Sequence, residues 1–530
     1  MRNLVKNRSI IFIAMFLLSG SFIWQYGCSS KDSPSEPTKK GPQVVLSPEN
    51  NLYFGQIPQG HTATREFLIY NTGDEPLIIS NMTIEGSDAS LFSLINIGGE
   101  ITVPINKIKN FEARFDPEVS GSFEAQVTIT SNAKSNPDVQ DLAGISTASA
   151  GNITFERIIG SFGNDGGGTI RVLADGGFII AGSSYNQEED ETLATLFRLD
   201  PYGNLEWKQQ YPVAGLSGFS GLVVTSSGNF VCTGSTRTNP SSNPDVFALS
   251  TTDNGDILWQ EIYELGGIEQ DDGNDIIKTT HGGYMICGST KNTDDATGGV
   301  KDALLLKIDN SGSYQWHKVY GTREGEEAHS VKQTKNGGYI FGGSTTVPSE
   351  DPGGDFDFLM VKTDGDGNQL WSKTFGGSNN YDFASSIVVD ELGGYVIAGY
   401  TASFGAGARD YWVIKTDTSG IEEWNKTYGG PENDSVAEII QTSDNGFYIV
   451  GGSSSFTTGT NGQPRSQVWV IKTDNNGNID WDELYGGNGG DGGASGRELE
   501  GGGYIISGNT SSYSDNSEVY VLKTNDDGSI

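Results

Sequence analysis

Three regimes of apolar spacing divide the chain. Residues 9–24, SIIFIAMFLLSGSFIW, form one apolar run. Between 43 and 147 the apolar positions alternate with polar ones in short runs, TREFLIYN, EPLIISNMTI, NFEARFDP and FEAQVTITSN, separated by Gly, Asn and Pro. A period of two predicts strands, and this spacing predicts a β-sandwich of about 100 residues. From 151 onward similar strand-like runs recur in units that repeat one another.

The marker of each unit is Gly, three residues, then Trp: GNLEW, GDILW, GSYQW, GNQLW, GIEEW and GNIDW. The aromatic positions are Phe155, Trp207, Trp259, Trp316, Trp371, Trp424 and Trp481, at intervals of 52, 52, 57, 55, 53 and 57. One unit reads ASSIVVD, GGYVIAGYT, DYWVIKTD, IEEWNKTY, which is four strands. Four strands per unit of this length predict the blades of a β-propeller. Asp-Gly-Gly and its variants turn the chain before the second strand, and Asp-x-x-Gly turns it before the fourth. The last unit ends at DDGSI without its Trp-bearing strand, and GNITFERIIG at 151–160 supplies it. The reading is an all-β chain: a sandwich over 43–147, then a seven-bladed propeller over 151–530 closed by its own N-terminal strand. Phe155 and Ile158 are expected to cover the inner surface of that closing blade.

Composition narrows the partners. With 33 basic and 68 acidic residues the formal charge is -35, which repels a phosphate backbone, so nucleic acid is not expected as a partner. The chain carries 74 Gly, in keeping with many tight turns. Cys232 and Cys287 lie in equivalent strands but one residue out of register, so alternation points them to opposite sheet faces and no disulfide is expected.

The N-terminus has its own logic. Arg2, Lys6 and Arg8 precede the apolar run, and QYGCSS at 25–30 places Gly27 before Cys28. This resembles a bacterial lipoprotein signal, with Gln25 where that family prefers Leu. The resemblance implies a signal peptide over 1–27, lipidation at Cys28, and an exported protein anchored to a membrane by lipid. Ser29 after the Cys, by the same resemblance, favours the outer membrane, on the periplasmic side or the cell surface. Residues 28–42, rich in Ser, Pro and charge, read as a flexible tether.

Two further resemblances follow from residues. Phe54-Gly55, Gly60, Asn71-Thr72-Gly73, Phe115-Asp116-Pro117, Gly121, Ile129-Thr130-Ser131-Asn132 and Leu142-Ala143-Gly144 resemble the Ig-like domains related to hydin and major sperm protein. The resemblance implies a spacer or protein-binding module without catalytic residues. The phrase Asp-x-x-Ser/Thr-Gly-x-x-x-Trp, as in DNSGSYQW and DTSGIEEW, is similar to the tryptophan-docking motif of quinoprotein-type propellers. It implies that the seven aromatic positions stack between neighbouring blades, and it carries no activity.

Candidate chemistry is sparse. Bases recur at the end of the third strand, at Arg198, Lys307, Lys362, Lys415, Lys472 and Lys523, and repetition of this kind suggests pairing with a turn Asp. Acids recur about ten residues after the Trp position: Asp165, Asp271 or Asp272, Glu326, Asp382, Asp434 and Asp491. They organise the start of each inner strand, or converge at one channel mouth where they could hold a cation or sugar hydroxyls; Asp165, Asp272, Glu326, Asp382, Asp434 and Asp491 are the ligand-binding candidates. No pair among His61, His281, His317 and His329 has metal-ligand spacing, so neither a metal nor a cofactor is expected. The hairpins hardly vary, whereas the loops between second and third strands differ in length and content, which assigns ligand specificity to that face. The leading expectation is a non-enzymatic envelope protein that binds a protein or glycan through its propeller. A polysaccharide-active hydrolase using channel-mouth carboxylates and an envelope-assembly scaffold are the alternatives.

Overall fold

The computed structural model describes residues 40–47, 52–147 apart from 96, and 153–530 apart from 161–163, 187–190, 214, 216–217, 238–242, 266–269, 292–299, 323, 348–354, 378–380, 459–461 and 514–515. The signal segment, Cys28 and most of the tether lie outside the described residues.

The first domain is a two-sheet sandwich. One sheet orders its strands Val44–Ser47, Ala63–Asn71, Ile108–Phe115 and Phe92–Ile95; the other orders Leu52–Pro58, Asp138–Thr147, Gly121–Ser131, Leu77–Glu85 and Ile101–Val103. Phe54, Phe67 and Phe115, all fully buried, fill the space between them. The residues that mark the Ig-like resemblance have mechanical reasons. The Asn71 amide donates to the carbonyls of Glu75 and Val103 and accepts from the Gly73 N–H, so one side chain ties a corner together. A methyl on Gly144 would lie 2.5 Å from the Phe115 ring, so only glycine fits.

Seven four-stranded antiparallel sheets follow. Blades 1 to 6 begin at Gly166, Gly221, Asp271, Glu326, Asp382 and Asp434. Blade 7 is built from Asp491–Glu498, Tyr504–Thr510, Glu518–Thr524 and, as its fourth strand, Phe155–Ile159. That closing strand pairs antiparallel with Glu518–Thr524, Phe155 opposite Lys523 and Ile159 opposite Val519. The ring is joined on its inner side too: the Gly167 N–H donates to Asn509 Oδ1 at 2.8 Å and the Ile170 N–H to Ser495 Oγ at 3.2 Å. The expected cover differs in one residue. Phe155 is buried, but Ile158 is 38% exposed, because alternation turns Phe155 and Arg157 inward and Ile158 outward.

Each Trp lies against a turn glycine of the next blade. The Gly of each third-to-fourth-strand turn, Asp-x-x-Gly except for Thr252 and Asn525 in the Asp place before Gly255 and Gly528, has φ between 73° and 86°, a conformation reserved for glycine, and presents its bare face to the aromatic of the preceding blade. Methyl groups placed on Gly312, Gly367, Gly420, Gly477 and Gly528 would lie 2.6–3.0 Å from Trp259, Trp316, Trp371, Trp424 and Trp481 respectively, and one on Gly255 would press on Trp207 at 3.3 Å. Phe155 stands in the same relation to Gly203. Four residues beyond five of these Trp side chains a Tyr crosses the same junction. The hydroxyls of Tyr211, Tyr263, Tyr320, Tyr428 and Tyr485 donate to the turn carbonyls of Gly255, Gly312, Gly367, Gly477 and Gly528 at 2.5–2.8 Å. Each such bond contributes about 1 kcal/mol.

Both internal cysteines are free and buried. Cys232 packs with Ile179 and Phe230 toward blade 1, whereas Cys287 packs with Ala328 and Phe341 toward blade 4, as the one-residue offset requires.

The closing strand is testable. A propeller beginning at residue 161 leaves the edge of Glu518–Thr524 unpaired and Gly203 uncovered, so it should melt lower and aggregate more than one beginning at 148. Appending NITFERIIG after Ile530 should restore both properties. Equal melting temperatures and a monomeric 161-start chain would refute the closure.

Candidate functional site

The recurrent acids open the first strand of their blades and turn inward. Asp165, Glu326, Asp382, Asp434 and Asp491 are at most 4% exposed. Asp382 accepts from the Gly377 N–H, from Thr401 and from Ser403 Oγ at 2.8 Å. Asp434 repeats the pattern with the Gly430 N–H, Ser453 and Ser455, and Asp491 with the Gly487 N–H, Thr510 and Ser512. Glu326 accepts from Thr322 and Thr345. Asp165 accepts from the Tyr185 N–H at 3.0 Å. The carboxylates therefore brace the chain as it crosses from one blade into the next. In blade 3 this place belongs to Asp271, opposite Thr290, and Asp272 does something else. Of the two residues the sequence left open, Asp271 takes this place, and the one-residue register sends the Asp272 side chain to the opposite face.

Three of the bases at the end of the third strand pair with an acid at the turn between the first and second strands. Arg198, Lys415 and Lys472 reach Asp175, Asp390 and Asp444, which lie in or beside the turn between the first and second strands, not the Asp-x-x-Gly turn. The Asp of Asp-x-x-Gly spends itself locally: Asp417 Oδ1 accepts the N–H groups of Ser419 and Ile421. Lys307 donates to the carbonyls of Gly282 and Ile308.

Polar chemistry concentrates along the axis of the ring. Midway, Arg497 holds Glu438 at 2.7 Å and Lys332 stands 3.3 Å from Asp275. Burial alone would raise Glu438, but Arg497, Arg171 and the Ser495 hydroxyl outweigh it and hold its carboxyl at about 2. At the hairpin end a cavity of ≈ 430 Å³ is lined by residues that include Lys278, Lys332, Gln333, Val388 and Gln441.

The opposite end, on the face of the variable loops, carries the most distinctive arrangement. Lys301 bridges Asp272 at 3.0 Å and Glu327 at 3.1 Å. Glu327 in turn meets His329 Nε2 at 3.3 Å, while the other ring nitrogen lies 2.7 Å from the Ala384 carbonyl. The imidazole stacks on Phe383, centroids 4.5 Å apart, and Phe383 stacks on Tyr400 at 5.6 Å with 13° between the planes. Arg409 lies over the Tyr400 ring, 4.6 Å from its centroid. Four charged groups, two stacked aromatic rings and a His thus run as one row across blades 3, 4 and 5. The hydrogen bond from His329, then Lys301, against the opposing effect of burial, holds the Glu327 carboxyl at about 2. Of this row only Asp272 belongs to the sequence-based candidates. The signal available was positional: the second residue of the first strand is Asp272, Glu327 and Phe383 in three successive blades. Among the described residues no group of three or more His, Cys, Asp or Glu side chains is arranged to hold a metal.

Comparison with known proteins places the first domain. Residues 42–144 match the family model of the HYDIN/CFA65/VesB-like Ig-like domain. Over 383 residues the chain is 22% identical to the regulatory protein FlaEY of Caulobacter vibrioides; the match takes in 60% of this chain and 40% of that protein, so the chain spans less than half the length of this relative. A Penicillium chrysogenum alpha-L-arabinanase aligns with 71% of this chain and 99% of its own, 11% identical, TM-score 0.39. A quinoprotein alcohol dehydrogenase-like protein of Bacteroides thetaiotaomicron aligns with 92% and 94%, 10% identical, TM-score 0.35. Likenesses this distant say nothing of activity.

Glu327 generates a pH prediction. Its folded carboxyl lies at about 2, below the ordinary unfolded value of about 4.3, so its stabilisation is fully present above about pH 4.5 and is lost as pH falls toward about 2. The melting-temperature advantage of the wild type over Glu327→Gln should shrink across that window. A constant difference would mean that the ionised carboxylate is not what the row depends on.

Proposed function

We propose that this chain is a lipid-anchored, non-catalytic binding protein of the cell envelope. In this reading the Ig-like domain is a spacer, and the propeller presents the face of its variable loops to a glycan or protein ligand. The observation that carries the reading is the row Lys301, Glu327, His329, Phe383, Tyr400. Stacked aromatic rings offer a flat apolar platform, and the charged groups beside them offer donors and acceptors for hydroxyls. Binding is favoured over hydrolysis by the ionic state of the row. A glycosidase needs one carboxyl kept protonated as the acid, whereas Asp272 and Glu327 share Lys301 and Glu327 is held at about 2. An outer-membrane location, on the periplasmic side or the cell surface, is part of the same proposal and rests on the Cys28 motif.

Two experiments test it. A glycan array and a hydrolysis screen of the purified protein should show binding without sugar release, and Phe383→Ala or Tyr400→Ala should weaken that binding by roughly tenfold or more. Sugar release abolished by Asp272→Asn or Glu327→Gln would establish a hydrolase instead. A pulled-down protein whose binding survives both aromatic substitutions would place the interface elsewhere. For the anchor, Cys28→Ala should lose lipid labelling and detergent-phase partitioning in the expressing cell. Unchanged partitioning would make residues 9–24 the anchor themselves.

A further inference from the structure

Two buried carboxylates meet where blade 5 passes into blade 6. Asp410 opens the third strand of blade 5, Asp410–Thr416, and Asp434 opens the first strand of blade 6, Asp434–Gln441. They are 1% and 0% exposed. Both oxygens crowd the same glycine: a methyl on Gly429 would lie 2.0 Å from Asp410 Oδ1 and 2.6 Å from Asp434 Oδ2. Asp410 Oδ2 accepts the N–H groups of Ala406 and Gly407, at 2.8 and 3.1 Å, and Asp410 Oδ1 has no partner. Among the described residues no Lys, Arg or His forms an ion pair with either carboxylate. Burial, and secondarily the neighbouring Asp434, push the Asp410 carboxyl up despite its two backbone hydrogen bonds.

Two adjacent ionised carboxylates out of water need a compensating charge. We infer that the junction between blades 5 and 6 binds a hard divalent cation, Ca²⁺ by preference, through Asp410 Oδ1 and Asp434 Oδ2. An all-oxygen site suits this class of ion, which completes a shell of six to eight ligands with hydroxyl, carbonyl and water oxygens. The Ser455 hydroxyl, 2.7 Å from Asp434 Oδ2, stands beside the pair.

Other junctions of the same ring supply the comparison. Between blades 4 and 5 the arrangement recurs: Asp357 Oδ1 has no partner, a methyl on Gly376 would lie 1.8 Å from it, and burial and Asp382 both raise its carboxyl. Between blades 6 and 7 the position of Asp410 is held by Gln467, which opens the third strand opposite Ser453 as Asp410 does opposite Thr401. Between blades 7 and 1, Glu518 opens the third strand opposite Thr510 in the Asp410 position, and Lys208, from the fourth strand of blade 1, stands 3.9 Å from the adjoining Asp165. Where the repeat offers a neutral amide or a lysine, the need for a cation is gone.

The test uses the purified protein dialysed against CaCl₂ or against EDTA. Calcium should remain bound at one equivalent or more per chain, and the melting temperature should be higher in millimolar CaCl₂ than in EDTA by about 5 °C. Asp410→Asn should lose one equivalent and part of the calcium-dependent shift, while melting no lower than wild type in EDTA, because one of the two opposed charges is gone. Wild-type protein that retains no calcium and melts identically in both conditions overturns the inference, and this holds even if the variant does not fold. So does an Asp410→Asn protein with an unchanged calcium count. Chelated protein that gains stability on acidification and ignores calcium would show the pair sharing a proton, which also overturns it.

Discussion

The architecture depends on one contact made seven times: an aromatic ring laid on a glycine whose backbone turns left-handed. The ring belongs to the fourth strand of one blade and the glycine to the last turn of the next, so each contact joins two sheets that share no backbone ladder. A side chain larger than hydrogen at the turn would be strained by its φ and would meet the indole at once. The Tyr hydroxyl four residues on adds direction, because it reaches the carbonyl of that same glycine. Position, conformation and hydrogen bond are thus set together, and the repeat can vary elsewhere without losing its pitch. Blade 4 has Phe375 in the Tyr place and the closing strand has Ile159; those two junctions keep the ring-on-glycine contact and lack the hydroxyl.

Charge is distributed on the same plan. Near the blade-to-blade crossings the carboxylates that open the first strands are buried and accept from backbone N–H groups and Ser or Thr hydroxyls, while Asp410 Oδ1 beside Asp434 has no partner. Along the axis they are met by Arg and Lys. On the face of the variable loops Asp272 and Glu327 remain partly open to solvent, and there they lie beside stacked aromatic rings. An acidic composition therefore conceals three different kinds of carboxylate, which burial and neighbours separate.

The fold was legible because it is written seven times. A Trp every 52 to 57 residues and four strand-like runs between them leave little choice of architecture, and a terminal unit short of one strand points to the fragment that completes it. The Tyr four places after the Trp was equally visible in EWKQQY, LWQEIY, QWHKVY, EWNKTY and DWDELY, yet its partner is a backbone carbonyl 43 to 49 residues away, which a local pattern does not reveal. Repetition drew attention to the acids common to most blades, which brace the crossings, whereas the row lies at positions where three blades differ.

What the sequence by itself determined is periodic or local: strand alternation, turn chemistry, the number of units, and the need of the last unit for a strand from the other end. Local backbone preferences and the two-residue period of a sheet suffice for these. What only the tertiary structure decided depends on which faces meet. It put Asp271 rather than Asp272 at the blade crossing, turned Ile158 out and Arg157 in, sent the third-strand bases to the first turn, and laid His329 on Phe383. Each of these turns on a register of one residue or on a neighbour 23 to 54 positions away, and the free energy of packing two sheets together selects among arrangements that the linear pattern leaves equal.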